Sequence, residues 1–484
     1  MRGRGWAVAG ALVLLLPVGP RTAFAETGWL PQDLESADRI GLVLASGTLR
    51  LDEAVGPSAS LRRESGVRAT GLATFPEQAL ERPTDTVDVR VGSSGDPEDV
   101  LAEVRGVRAD GMWTEWYPAP DHGGRIMLSV DVFRVQLRVG VDGVDTAVTG
   151  LSVRPLEGTG DIPAGRSDEP SPDPSPEPSP DDPAPEPSPD PSPEPSPDDP
   201  APEPSPEAGP RPDDGDGGDP DGDGGDPPED KIDHGDDIPE RPFSARLFAT
   251  RIGLVGETTA NGHIIRENDH FVALPSRRGL ATRGGGEYTV RVCSTGALGP
   301  EGEGDTEDHE ARCAYLPVWD VGPWNITDDH WNDDRQSWRD LDRGRPQAQA
   351  AYTQGYNGGL DGFGRRVRNP AGIDLADGAF NGGLRLPTNG WVQVDYLWTG
   401  EYRHRIEVTT STRRDPVVVR SGAGPEHPAV GLAAHKANID VICQETGAPA
   451  TGPQGTGDTW YRIGEGDYIP AVYAEGGADA PACR

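Results

Sequence analysis

The chain has 484 residues, 34% apolar and 26% charged, with 65 Gly and 50 Pro. It is too long for one core and too poor in apolar residues to be folded throughout, so several domains and an unfolded portion are expected. Of the 37 net negative charges, 24 fall in residues 167–240, which hold 26 acidic and two basic residues. No basic stripe appears elsewhere, which speaks against nucleic acid as a partner.

Residues 1–25 read as a secretory signal. Arg2 and Arg4 give the positive start, 6–18 the apolar run, and Ala23-Phe24-Ala25 the small-residue cleavage site. The run is short for a membrane span, and no cysteine follows it to take a lipid. The mature chain is expected to be exported, monomeric and without an integral membrane segment.

Residues 27–158 contain short, partly alternating apolar segments at 86–91, 100–105, 133–139 and 149–154, separated by turn residues. That pattern predicts a β-sandwich. Trp113 and Trp116 lie in one short stretch, and either glycan stacking or a half-buried core position suits them. The stretch 104–117, followed by Phe133-Arg134-Val135-Gln136-Leu137-Arg138, resembles a β-rich region ahead of the catalytic domain in secreted actinobacterial N-acetylmuramoyl-alanine amidases.

Residues 159–240 are expected to be a disordered acidic linker. The Pro-Ser-Pro-Asp run at 170–186 repeats at 187–203. Alternating proline favours polyproline II and leaves nothing apolar to bury. At ~3.1 Å per residue the segment reaches on the order of 200 Å. The Asp/Gly-rich part at 213–226 suits either a solvated spacer or calcium, although no Glu closes a twelve-residue loop.

Residues 241–411 are expected to form the largest folded region, mainly β. Strands are predicted near 244–254, 270–274, 288–293, 314–320 and 391–397, a helix at 345–355, and loops over 357–389. Its central stretch is Val318-Trp319-Asp320-Val321-Gly322-Pro323-Trp324-Asn325. It reads as a strand that carries a carboxylate to its end and is halted by Gly-Pro, since proline has no N–H for a ladder.

Four patches occur in order: Thr259-Ala260-Asn261-Gly262, Ala273-Leu274-Pro275, Val318-Trp319-Asp320-Val321-Gly322-Pro323 and Ile373-Asp374-Leu375. Together they resemble the double-psi β-barrel of the rare lipoprotein A lytic transglycosylases, expansins and family 45 endoglucanases. The resemblance implies Asp320 as the acid and Asp374 as its partner near a groove. Val321 departs from the arginine of those families, and His263 stands where the transglycosylases carry a glutamate. His263, Trp319, Trp324, Trp331 and Tyr356 are the expected groove-lining residues. The acidic stretch Asp328, Asp329, His330, Asp333 and Asp334 suits a solvated loop, spare carboxylates or a metal site.

Residues 426–484 resemble a bacterial SH3 domain, through Ile439-Asp440-Val441-Ile442-Cys443-Gln444, Trp460-Tyr461-Arg462-Ile463 and Gly466-Asp467-Tyr468-Ile469-Pro470. Such domains commonly bind wall peptide or glycan, which implies a groove lined by Trp460, Tyr461 and Tyr468. The four cysteines allow three pairings, of which Cys293–Cys313 with Cys443–Cys483 is simplest because each bridge stays local. No C-x-x-C spacing suggests zinc, and no cofactor motif is present.

Cleavage of a glycan needs two placed carboxyls, or one acid with help from the substrate. With the second acid missing from its expected place, the favoured reading is an exported, expansin-like protein that binds or loosens cell-wall glycan or peptide. A lytic transglycosylase or glycosidase with Asp320 as acid is the alternative. A third reading is an adaptor whose barrel is only structural.

Overall fold

The structure, a computed structural model, describes residues 28–52, 54, 56, 70–120, 123–156, 241–302, 309–412 and 415–484. The expected signal segment at 1–25 and the expected linker at 159–240, with its Asp/Gly run, lie outside them. The described chain is mainly β, as predicted, and its sheets close into barrel-like layers.

In the N-terminal region ten strands form one sheet. Two of them, Gln78–Ser94 and Gly123–Val141, have 17 and 19 residues, enough to serve two layers. Their mutual register shifts on either side of Thr84, and irregularities of this kind bend a sheet. The fold-over encloses Val87, Val104, Val132, Leu137, Val139 and Val153, all fully buried. The expected sandwich is therefore one sheet turned over on itself. The predicted segments at 86–91, 100–105, 133–139 and 149–154 all fall within its strands.

The central region is a closed ring of six strands. Phe243–Arg251 lies parallel to Ala371–Leu375 and antiparallel to Gly390–Tyr396. Gly390–Tyr396 continues to Thr289–Leu298, and that strand to Cys313–Val321. Val272–Leu274 closes the ring between Cys313–Val321 and Ala371–Leu375. Closure removes the free edge where the ring strands overlap, and the start of the Cys313–Val321 strand, beyond the reach of Val272–Leu274, is taken up by the C-terminal strands. Cys313–Val321 is buried at every position, which explains its nearly continuous apolar sequence. Ala371–Leu375 falls in a stretch expected to be loop. Its five residues are too few to show periodicity, and pairing with Phe243–Arg251 and Val272–Leu274 is what makes them a strand. The predicted helix is Gln347–Gln354, stopped by Gly355 in the left-handed conformation.

The C-terminal strands are not separate from the ring. Ala429–Ala433 runs parallel to Cys313–Val321, so the sheet continues through Val417–Arg420 and Asp467–Pro470 to the hairpin of Cys443–Gly452 and Gly455–Gly464. Arg405–Val408 pairs with Asn438–Asp440 and Ala474–Gly476. Sheet pairing thus assigns 405–408 to the C-terminal unit, ahead of the boundary expected at 411.

Both disulfides follow the local pairing. Cys293–Cys313 joins two directly paired strand positions, and Cys443–Cys483 ties the terminal hairpin to the chain end. Structural disulfides mark proteins of oxidising compartments. No helix among the described residues is long and apolar enough to cross a membrane. Replacing Cys443 and Cys483 together by Ser should lower stability by about 3–4 kcal/mol, the loop-entropy value for this separation. Urea unfolding of the two proteins checks it.

Candidate functional site

Asp320 closes the Cys313–Val321 strand, as expected, but it does not face solvent. It is fully buried, and its Oδ1 accepts from the backbone N–H of Ala260 at 2.8 Å and of Val321 at 2.9 Å. Asn261 N–H donates to the Trp319 carbonyl at 3.2 Å. The strand end therefore clamps the 259–263 loop. Within that loop Thr259 N–H bonds the His263 carbonyl, and Gly262 takes a φ of 83° that closes the turn. Asp374 is also buried, and its carboxylate accepts from the Thr250 hydroxyl. Asp320 and Asp374 flank Ala273 in adjacent registers, so their Cα atoms stand two strand spacings apart, roughly 10 Å. Both carboxylates are built into the sheet rather than open to a groove.

The loop clamped by Asp320 carries His263 to the edge of a cavity of about 460 Å³. Its wall includes His263, Arg266, Asp269, Arg283, Trp319 and Lys436. His263 lies over the Trp319 indole with ring centroids 4.8 Å apart, and Trp319 stacks in turn on Phe271 at 5.7 Å. His263 Nε2 meets Asp269 Oδ2 at 2.6 Å, and the same oxygen accepts the Arg266 N–H at 2.7 Å. This carboxylate fixes the ring orientation of the imidazole. Among the described residues no Ser, Cys or Thr lines the cavity, so this His–Asp pair has no hydroxyl or thiol to activate there.

The opposite wall comes from the C-terminal unit. Lys436 has a φ of 73°, which is strained for a side chain with a Cβ. Asn438 holds it there: its Nδ2 donates to the Gly286 carbonyl at 2.8 Å and to the Lys436 carbonyl at 3.1 Å. A Cβ on Gly286 would sit 1.7 Å from that Lys436 oxygen, so only glycine allows the approach. His435 Nδ1 accepts the Thr410 N–H at 3.2 Å, which leaves a neutral ring's proton on Nε2. Arg283 reaches out to Asp38 Oδ2 at 3.2 Å and to the Arg39 carbonyl at 2.8 Å in the N-terminal region.

Of the residues expected to line a groove, His263 and Trp319 meet here, and Trp319 offers only an edge at 5% exposure. Trp324 instead packs with Phe248, Ala348 and Ala351 and donates to Asn369. Tyr356 is half-buried and donates to Asp340, away from the cavity wall. Trp331 is fully buried. In the C-terminal unit Trp460 and Tyr461 are buried, donating to the Ala448 and Gly476 carbonyls, and Tyr468 is half-buried. Neither these three nor the ring tryptophans form an open aromatic trench. Asp269, Arg266, Arg283 and Lys436 do not stand out in the sequence, because isolated charged residues in turns carry no periodic signal. The His-x₅-Asp spacing is the one trace the sequence holds of this pair.

The acidic stretch at 328–334 divides by residue. Asp328, Asp329 and His330 are fully buried, while the Asp333 and Asp334 side chains stay exposed. Asp328 binds Arg335 at 2.5 Å and the Gln347 N–H at 2.7 Å, and Asp329 binds Arg278 at 2.7 Å. His330 Nε2 meets the Tyr396 hydroxyl at 2.7 Å. No cluster of metal-ligating side chains occurs among the described residues. Asp328, Asp329 and His330 serve as a buried buttress, while Asp333 and Asp334 keep the solvated character expected of the loop.

Glu115 completes that buttress from the N-terminal region. Its carboxylate accepts from the indoles of Trp331 and Trp398, at 2.5 and 2.8 Å, and from Asn332 at 2.7 Å, and it pairs with Arg278 at 3.0 Å. Trp116, one residue on, lies between the Arg105 and Arg138 guanidiniums at 4.4 and 4.2 Å and donates to the Leu280 carbonyl. Trp116 is thus an interface core residue, not a glycan platform.

Residues 243–395 match a family model described as "Domain of unknown function (DUF8814)", a span that coincides with the six-stranded ring. No curated protein matches the chain. Among solved structures, a chain from the crystal structure of accessory secretory protein 1, 2 and 3 in Streptococcus pneumoniae is similar at 11% identity. The match covers 26% of this chain and 90% of that one, with a TM-score of 0.19.

Two outcomes follow. Asp320→Ala strands the buried Val321 N–H and the partly buried Ala260 N–H and should cost about 2–4 kcal/mol in urea unfolding, with faster amide exchange at Ala260. Burial holds the His330 imidazole down at about 3, from 6.5. Between those values the unfolded chain takes up a proton that the native one refuses, so His330 loses stability for the fold as pH drops. Burial raises the Asp328 carboxyl to about 6; it protonates in the native state first, and so opposes the loss between about 6 and 4. His330→Asn should therefore show a smaller fall in urea midpoint from pH 7 to 4 than the parent.

Proposed function

We propose that the chain is an exported protein that binds cell-wall glycan or peptide without turning it over, with the cavity beside His263 and Trp319 as its binding site. The signal-like N-terminus and the two disulfides support export. The observation that carries the reading is the Asp320 carboxylate. Oδ1 accepts two backbone N–H groups and the residue is closed to solvent, so it holds the cavity's loop in place instead of offering a proton. A general acid must reach the leaving oxygen within hydrogen-bond distance. Asp374, roughly 10 Å away along the sheet and bonded to Thr250, is equally enclosed. The closed six-stranded ring supports the likeness to expansin-type barrels, in which the groove works by binding.

The cavity has what a binding site needs. It has a polar rim, an edge of Trp319 backed from behind by Phe271, and walls from two parts of the chain locked together by Asn438. The test is co-sedimentation of the full chain with insoluble cell wall. The parent and Asp269→Asn should both leave no soluble wall fragments, and Asp269→Asn, which frees His263, should bind at least tenfold more weakly. Soluble fragments released by the parent and lost in Asp320→Asn would establish cleavage instead.

A further inference from the structure

The cavity carries a charge opposite to that of the chain as a whole. Its wall holds three permanent cations, Arg266, Arg283 and Lys436, with the imidazoles of His263 and His435. Among the described residues the one carboxylate in the wall, Asp269, is engaged by His263 and the Arg266 N–H. Among the described residues Arg283 is ion-paired with Asp38 and Lys436 with Glu407, and neither of those carboxylates lines the cavity, so a ligand carboxylate must share these cations with them. The Arg266 side chain extends from an exposed position with its own backbone anchored to Asp269. In a protein with a net charge of −37 this recess is lined by more cations than anions, and Lys436 forms one wall of it from a strained backbone conformation.

We propose that the ligand of this cavity is a carboxylate-bearing saccharide, its carboxylate held by Arg266 and Lys436 and its ring set against the tilted His263 and Trp319 rings. This rests on the wall-binding reading above and narrows it to acidic sugars. Guanidinium and ammonium groups bind carboxylates through charge-assisted hydrogen bonds, and the stacked rings supply an apolar face beside them. The small exposed edge of Trp319 makes charge, rather than stacking, the main source of selectivity. The acidic remainder of the chain repels anions at long range, but at 0.15 M salt that field is screened beyond about 8 Å, and the local cations decide the outcome.

The carboxylate has two sources in wall polymers, the lactyl group of muramic acid and the uronic acids. Calorimetric titration of the full chain at 0.15 M salt, with N-acetylmuramic-acid oligomers, oligogalacturonate and neutral chito-oligosaccharide of matched length, separates them. At least one acidic ligand should bind tenfold or more tightly than the neutral one. The double variant Arg266→Gln with Lys436→Met should lose that preference, and unchanged circular dichroism would show that it folds; the single exposed Arg266→Gln should lose part of it. Equal affinity for acidic and neutral oligomers, or a preference untouched by the folded variants, overturns this proposal and leaves wall binding standing. Failure of every oligomer and of intact wall overturns the wall-binding reading itself.

Discussion

A carboxylate buried between two indoles holds this molecule together. Glu115 leaves the N-terminal sheet and meets Trp331, Trp398, Asn332 and Arg278 of the ring region. An isolated charge in that position would cost several kcal/mol. Four donors compensate it, and in doing so they fix how the two sheets dock. The guanidinium–indole–guanidinium sandwich of Arg105, Trp116 and Arg138 repeats the logic beside it, with Arg105 reaching Glu287 at 2.8 Å and the Tyr288 hydroxyl donating to the Thr114 carbonyl. Polar groups that satisfy one another only in the docked form make the interface specific.

That docking bears on the cavity. Glu287 accepts from Arg105 and from the Thr282 hydroxyl, so the N-terminal sheet steadies the 282–287 turn that carries Arg283 and Gly284. The C-terminal unit steadies the same turn from the other side, through Asn438 on Gly286. Asp320 then fixes the third element, the loop bearing His263. The cavity is the meeting point of three clamps, and none of the clamping groups is itself exposed. Rigid support of this kind presents a few charged groups to a ligand at low entropic cost on binding.

The ring residues that suggested chemistry turn out to do mechanical work. A buried aspartate at a strand end and six tryptophans in the 319–398 segment have the composition of a glycan groove. They have equally the composition of a barrel closed against a second domain, where indoles bury large areas and still find an acceptor for their N–H. Trp331 and Trp398 found theirs in Glu115, more than 200 positions away in the chain, and no local reading of the sequence could pair them.

Local patterns in the sequence were enough to determine the mainly β character, the position of nine of the described strands and the end of the central strand at Gly-Pro, and they favoured, without deciding, the neighbour pairing of the disulfides. Each rests on contacts within a strand or between nearby positions, where alternation, proline and cysteine spacing are direct physical signals. The tertiary structure alone decided which polar groups were buried, that 405–408 joins the C-terminal unit, that Ala371–Leu375 is a strand, and that His263, Arg283 and Lys436 share one cavity. Those facts depend on contacts between distant segments. A carboxylate's solvation is set by what folds over it, and the residues before and after it leave that open.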